Sequence, residues 1–267
     1  MDVAQIKQRH AWIWAQGDYS VLSRLLRPAA EALRDACAVS AGQEVLDVAA
    51  GDGNFAIACA YEGAKVVASD LSPGQVERGR ARSAEEGFEV EWVEADAEDL
   101  PFEDARFDCV GSVFGAVIPP RPEVVARELV RVTRPGGTIG MTAWTPGSFT
   151  AELIGLGRKY APPSPGQPLS EEWGVEETAR ERFAGLPVSV ECEPRRFVQE
   201  DQSQDSFATR FAETVPTMAA ARQALSPEQF DAMLHDIREM ADRFNEADDG
   251  SLRITNEYLV ILARKRG

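Results

Sequence analysis

The run Val45-Leu46-Asp47-Val48-Ala49-Ala50-Gly51-Asp52-Gly53 constrains this chain more than any other segment. A short apolar strand leads into a turn of small residues, and the helix-compatible stretch 54–61 follows at once. Strand, glycine turn and helix open a βαβ unit, which needs a parallel sheet to complete it. The next hundred residues supply one. Residues 65–69 read as a second strand. Residues 72–86 read as a helix, with Ser72 as N-cap, Pro73 at the first helical position and Gln75 three residues after the cap. Residues 89–94 alternate as a strand does, and 107–113 form the near-continuous apolar run of a strand buried on both faces. Residues 123–133 read as a helix with Val124, Val125, Leu129 and Val132 on one side. Arg134-Pro135-Gly136-Gly137 is expected to stop it before a fifth strand at 138–144. Strands alternating with helices predict an α/β doubly wound parallel sheet with right-handed crossovers.

The flanks read differently. Residues 3–38 read as two helices interrupted at Gly17-Asp18, with Trp12, Trp14, Tyr19, Leu22, Leu25 and Leu26 at apolar positions. Residues 146–187 read as irregular, with the patch Pro162-Pro163-Ser164-Pro165 and a helical stretch at 171–183. A strand at 188–198, two helices at 203–224 and 227–244, and a last strand at 256–264 complete the reading. No repeat or clean linker divides the chain. The expectation is one domain over 1–267: a helical lid at 1–40, a core at 41–145, covering helices and a strand at 146–250, and the last strand at 251–267.

Charge and rare residues exclude several functions. The chain has 267 residues, and 28 Lys+Arg against 44 Asp+Glu give a net charge of −16. That field repels phosphate backbones and anionic headgroups, so neither nucleic acid nor a membrane surface is an expected partner. The 4 Cys include no C-x-x-C pair, and with only 2 His no metal site is expected. Cys59 and Cys109 sit in apolar runs and read as buried reduced thiols, which fits a cytoplasmic protein. The first 19 residues lack the apolar stretch of a signal peptide, and no run approaches the ~18 residues of a membrane helix.

The chemistry concentrates at the glycine turn. Small residues let a ligand approach the backbone, and a helix N-terminus offers free N–H groups to it. Asp70 ends the next strand, where a carboxylate can accept both hydroxyls of a ribose. Gly51-x-Gly53-x-x-Ala56 also satisfies the dinucleotide fingerprint, so NAD and S-adenosylmethionine both fit this much. Three features favour the second. Asp47 lies at the strand end, where a carboxylate suits an ammonium and opposes a pyrophosphate. Glu94-Ala95-Asp96-Ala97 follows the third strand, where an adenine amino group needs an acceptor. Two helices also precede the first strand.

Five motifs occur in order over residues 43–144: Asp47-x-Ala49-x-Gly51-x-Gly53, Asp70-Leu71-Ser72, Asp96-Ala97-x-x-Leu100-Pro101-Phe102, Phe107-Asp108 and Arg134-Pro135-Gly136-Gly137. In them the chain resembles the class I S-adenosylmethionine-dependent methyltransferases, in the small-molecule branch that includes quinone-biosynthesis enzymes. Trp14-Ala15-Gln16-Gly17-Asp18-Tyr19 and Ala143-Trp144-Thr145-Pro146 resemble a subgroup of that family. The resemblance implies a Rossmann-like seven-stranded sheet ordered 3-2-1-4-5-7-6 with strand 7 antiparallel, and helical lids from the N-terminus and the C-terminal half. It implies that Asp47, Ala49, Gly51 and Gly53 surround the methionine end of the cofactor. Asp70 is implied at the ribose, Leu71 on the adenine, Asp96 and Ala97 at the adenine edge, and Ser112 and Val113 on the floor near the sulfonium. The product is then S-adenosylhomocysteine. N-terminal helices in this family often close over the cofactor, so Trp14 and Tyr19 either touch it or pack in the core.

One departure bears on mechanism. Many relatives carry an aromatic or His-containing stretch after the fourth strand; here it is Phe114-Gly115-Ala116-Val117-Ile118-Pro119-Pro120, without a proton acceptor. Phe114, Val117 and Trp144 are the candidate substrate-lining residues. His10 is the one candidate base, with a plain surface role as the alternative. The expected activity is methyl transfer to a small, partly apolar metabolite through an N, O or C acceptor, by proximity and desolvation, in a monomer or homodimer. The alternatives are an NAD-dependent oxidoreductase, a non-enzymatic binding module, and a methyltransferase fold that uses S-adenosylmethionine for another reaction.

Overall fold

The structure, a computed structural model, describes residues 2–17, 19–163 and 167–267. In chain order the elements are α1 (Val3–Trp14), α2 (Tyr19–Ala36), β1 (Glu44–Val48), α3 (Asn54–Tyr61), β2 (Lys65–Asp70), α4 (Pro73–Glu85), β3 (Val90–Glu94), β4 (Phe107–Val113), α5 (Pro122–Val132) and β5 (Thr133–Trp144). There follow α6 (Phe149–Tyr160), a 3-10 turn (Ser170–Gly174), α7 (Glu176–Arg182), β6 (Val188–Asp201), α8 (Gln204–Thr214), α9 (Pro216–Ala224), α10 (Pro227–Phe244) and β7 (Leu252–Lys265). The strands form one sheet in the order β3-β2-β1-β4-β5-β7-β6. β7 runs antiparallel to β5 and β6, and the remaining neighbours are parallel. This is the Rossmann-like sheet that the resemblance implies.

Alternation along the strands sorts the side chains into two cores. In β1, Val45 faces α2, α3 and α4, where Leu33, Phe55 and Val76 pack with Trp92 of β3. Its neighbours Leu46 and Val48 face the opposite layer, where Leu129 of α5 and Trp173 of the 3-10 turn lie. Asp47 shares the face of Val45, because side chains two apart share a face. A third core sits beyond the sheet: Phe149, Met218, Ile237, Leu252 and Ile254 close α6, α8, α9 and α10 onto the far end of β7.

Several elements differ from the sequence reading, each for a physical reason. β5 begins at Thr133, which pairs with Phe107, while Thr138 pairs with Cys109. The Arg134–Gly137 stretch therefore bulges out of the strand, aided by Gly136 at φ +79°, instead of ending the helix in a free turn. Residues 203–224 are two helices, because Pro216 has no N–H to continue α8 and starts α9 instead. The stretch 146–187 is largely ordered: Ser148 caps α6 by accepting from Ala151 N. The helical reading at 171–183 is broken at Val175, which is extended. Ser72 caps α4 by position without a side-chain hydrogen bond, and the Gln75 amide donates instead to Trp14 O at 2.9 Å. β6 and β7 run longer than read, pairing with each other as far as Asp201 and Leu252, well past the end of β5. Ser164 and Pro165 of the Pro-rich patch lie outside the described residues.

One close approach controls the centre of the sheet. A Cβ added at Gly115, just after β4, would lie 2.2 Å from Ala49 O, just after β1. Backbone, not a flexible side chain, is in the way. Gly115→Ala is expected to cost about 2 kcal/mol by forcing these two chain segments apart. In a thermal melt that is a fall of roughly 5 °C; an unchanged Tm would contradict the close packing.

Candidate active site

Strand order reverses between β1 and β4, so the helices that follow these strands, α3 and α5, lie on opposite faces of the sheet. In open α/β sheets the general place for ligands is the crevice that such a reversal forms at the carboxyl ends of the strands. Both chain exits turn sharply. Ala49 leaves β1 at φ +51° and Phe114 leaves β4 at φ +57°, left-handed conformations that cost non-glycine residues ~1–2 kcal/mol each. Hydrogen bonds hold them. Ser112 Oγ donates to Val48 O at 2.6 Å and accepts from Ala116 N at 2.8 Å. Phe114 N donates to Thr142 Oγ1 at 3.0 Å. The hydroxyl of Ser112 is thus a brace between the two exits. Gly53, at φ +93°, precedes α3 in a conformation that requires glycine.

Three carboxylates stand around this crevice in three different states. Asp47 is 1% exposed. Its Oδ2 accepts from Ala56 N at 2.9 Å, while its buried Oδ1 has no partner among the described residues. Burial pushes its pKa up to about 8, against the pull of the Ala56 N–H. Asp70 is gripped on both sides: Oδ2 accepts from Gly51 N at 2.8 Å and Oδ1 from Ser72 N at 2.9 Å. Burial raises its pKa to about 6, and those two N–H groups oppose the rise. The Ser72 hydroxyl beside it is buried without a partner among the described residues. Asp96 accepts from Glu98 N at 2.9 Å and from the Lys7 ammonium at 2.5 Å.

Lys7 escaped the sequence reading. It also pairs with the buried Glu98, whose carboxylate in turn accepts from Arg121 N and Arg121 Nε, each at 2.7 Å. The cluster ties α1 to the segments after β3 and β4. Its members are too far apart in sequence for any spacing to expose them.

The other candidate residues fall into three groups. Gly51 and Ala97 are buried, and Ala49, Leu71 and Val113 half-buried, at the strand ends around the crevice. Trp14 and His10 are half-buried on α1; Trp14 O accepts from Gln75 Nε2 and Arg78 Nη2, each at 2.9 Å. Burial, with Arg9 adding, lowers the pKa of His10. Tyr19 opens α2, but its side chain lies outside the described residues. Phe114 and Trp144 stack on each other, with ring centroids 3.8 Å apart and planes 2° from parallel. Tyr258 meets Phe114 edge-on at 5.6 Å, and Phe197 completes the aromatic wall. Val117 is separate from it and packs into the α5 core.

Comparison with known proteins decides the family. A methyltransferase-domain family profile matches residues 45–137. An uncharacterised Mycobacterium tuberculosis protein is 37% identical over 270 residues, covering 96% of this chain and 94% of its own length. The demethylmenaquinone methyltransferase of Clavibacter sepedonicus is 48% identical over 104 residues, 39% of this chain and 42% of its own. A crystal structure of a Bacillus halodurans candidate methyltransferase shares the fold, with TM-score 0.63 and 23% identity over 89% of this chain and 99% of that one. The chain belongs to the class I S-adenosylmethionine-dependent methyltransferases. In this methyltransferase the bare Oδ1 of Asp47 and the carboxylate of Asp70 lie on either side of the glycine turn, and a ligand with a cationic end and neighbouring hydroxyls suits that pair.

The state of Asp47 makes the ligand-free enzyme pH-sensitive. Its native pKa of about 8 exceeds the unfolded value of 3.8, so above pH 4 the native state holds a proton that the unfolded chain has released. That contribution to stability is complete below pH 4 and is lost as pH rises through about 8. The ligand-free Tm is expected to fall between about pH 6 and about pH 8, and Asp47→Asn should flatten the fall. Equal slopes in wild type and variant would refute the assignment.

Proposed function

We propose that this enzyme transfers a methyl group from S-adenosylmethionine to a small, partly apolar metabolite. The observation that carries the reading is the buried, unpartnered Oδ1 of Asp47 beside the glycine turn. A buried carboxylate oxygen without a donor is costly, and an ammonium is the donor that removes the cost. The amino-acid end of the cofactor carries one. Asp70 retains a lone pair on each oxygen for the ribose hydroxyls, and Leu71 follows it to pack on the base. Asp96, next to Ala97, keeps acceptor capacity for the adenine amino group. Ala49, Gly51 and Gly53 leave the backbone open to the methionine chain, and Val113 and Ser112 form the floor. Residues 1–40 and 146–250 are proposed as covers of the core at 41–145, with Trp14 and Tyr19 on the cofactor side.

When bound, the cofactor supplies an electrophilic methyl group on a sulfonium. The protein then has to bring a nucleophile into line and keep water away. The aromatic wall of Phe114 and Trp144 suits that task and an acceptor with apolar surface. The segment 114–120 holds no carboxylate or imidazole. An amine or an enol-like carbon needs less help from a base than a hydroxyl does, so such acceptors fit best. The overlap with demethylmenaquinone methyltransferase, whose name points to a quinone acceptor, supports a small-molecule substrate. A homodimer or monomer acting in the cytoplasm completes the reading.

Ligand-induced shifts in Tm test it. At about 100 times Kd, S-adenosylmethionine or S-adenosylhomocysteine should add ~2.7 kcal/mol, or roughly 5–10 °C, and NAD should add nothing. A shift with NAD alone would replace this reading with an oxidoreductase. Asp47→Asn should weaken S-adenosylhomocysteine by ~10- to 100-fold while its ligand-free Tm holds, since it removes a charge-assisted hydrogen bond. Wild-type affinity should rise from about pH 6 to about pH 8, because binding needs the ionised carboxylate. His10→Ala should change kcat by less than about tenfold with an acceptor found by screening; a general base would contribute ~10²-fold or more.

A further inference from the structure

The turn that receives the cofactor carries one side chain that the proposed function leaves unused. Asp52 lies between Gly51 at φ +59° and Gly53 at φ +93°, and Ala49 is left-handed as well. A turn with three such residues in five is held only if its surroundings over-determine it. Asp70 and Asp47 grip it through Gly51 N and Ala56 N. Asp52 is gripped by other elements. It is 4% exposed, and its Oδ1 accepts from Ser23 Oγ of α2 at 2.5 Å and pairs with Arg82 Nη1 of α4 at 3.1 Å.

The contacts form a closed network. Arg82 Nη1 also donates to Ser23 Oγ at 2.7 Å and to Asn54 Oδ1 at 2.9 Å. Asn54, the first residue of α3, donates through Nδ2 to Ser23 O at 2.8 Å. Arg82 Nε is held by Glu86 at 3.0 Å. Four polar side chains from α2, the turn, α3 and α4 thus meet at one point. Stability alone does not call for this: well-packed apolar residues often replace a buried ion pair without loss. What apolar residues cannot do is fix the direction of a glycine-flanked turn, since they lack the directional bonds of a guanidinium fork.

We propose that Ser23, Asp52 and Arg82 are positioning residues for the cofactor turn, and that this brace sets the affinity for S-adenosylmethionine. The inference rests on the proposed cofactor reading. Without the brace, the turn samples other conformations and binding must order it, so affinity falls although no cofactor-facing group is changed. Burial raises the pKa of Asp52 above the usual carboxylate value, against the opposing pull of Arg82 and the Ser23 hydroxyl.

The test separates positioning from stability. Arg82→Met leaves the Asp52 carboxylate buried and unpaired, so both Tm and affinity should fall. The double variant Asp52→Asn, Arg82→Met removes that charge and should recover most of the Tm. Its affinity for S-adenosylhomocysteine, measured by calorimetry, should remain at least about tenfold weaker than wild type. Asp52→Asn alone, which keeps the shape and the Ser23 contact, gives a folded comparison that should also bind more weakly. Affinity that returns together with Tm, or a folded Asp52→Asn with wild-type affinity, would overturn the brace and leave the cofactor reading intact. Wild type that fails to bind S-adenosylhomocysteine would overturn both.

Discussion

The reversal of strand order between β1 and β4 governs the rest of this molecule. The two strands pair in parallel from Val45 with Cys109 to Asp47 with Gly111, and then their chains must part to opposite faces. Separation within so few residues requires tight turns, and the chain makes them with left-handed Ala49 and Phe114. Strain of that kind persists only against compensating bonds. The Ser112 hydroxyl bridges the two exits, Thr142 catches Phe114 N, and Gly115 lies against Ala49 O. The strained backbone is therefore a consequence of topology, and it lies where open α/β sheets in general take their ligands.

The acidity of the chain acquires meaning only residue by residue. A net charge of −16 is a property of the whole chain and repels phosphate backbones in general. It does not describe a preference for a cationic substrate. The carboxylates around the crevice are distinguished by what faces them: two backbone N–H groups at Asp70, a lysine at Asp96, a guanidinium at Asp52 and nothing at Oδ1 of Asp47. Only the last is left to be satisfied by something outside the protein. On the proposed reading, the same residue type serves as a binding group in one place and as a fastener in another.

Much of this was legible in the sequence because it was local. β1 to β4 and α3 to α5 were bounded to within a residue or two, since each carries a local signal, an apolar run or alternation in the strands and a cap, a proline or an apolar face in the helices. The full sheet order followed from the resemblance carried by five motifs. What stayed hidden was non-local or ambiguous. Gly155 and Gly157 depress the helix signal of α6, and Pro135-Gly136 reads as a stop although the strand accommodates it as a bulge. The positions of Asp47 and Asp70 at strand ends could be read directly. Lys7 against Asp96, 89 residues apart, and Ser23 against Arg82, 59 apart, could not, because a polar contact between distant elements leaves no periodic trace.

The aromatic wall explains why the acceptor side of the site is harder to read than the cofactor side. A cofactor is held by polar groups with fixed hydrogen-bond directions, and these announce themselves as bare oxygens or strained turns. Apolar acceptor surface is met by rings that are also core: Phe114 and Trp144 stack on each other and belong to the same buried cluster as Leu33 and Phe55. A ring in that position excludes water whether or not a substrate is present. On the proposed reading, such a wall suits acceptors that need neither a base nor a polar anchor, and leaves the choice among them to shape.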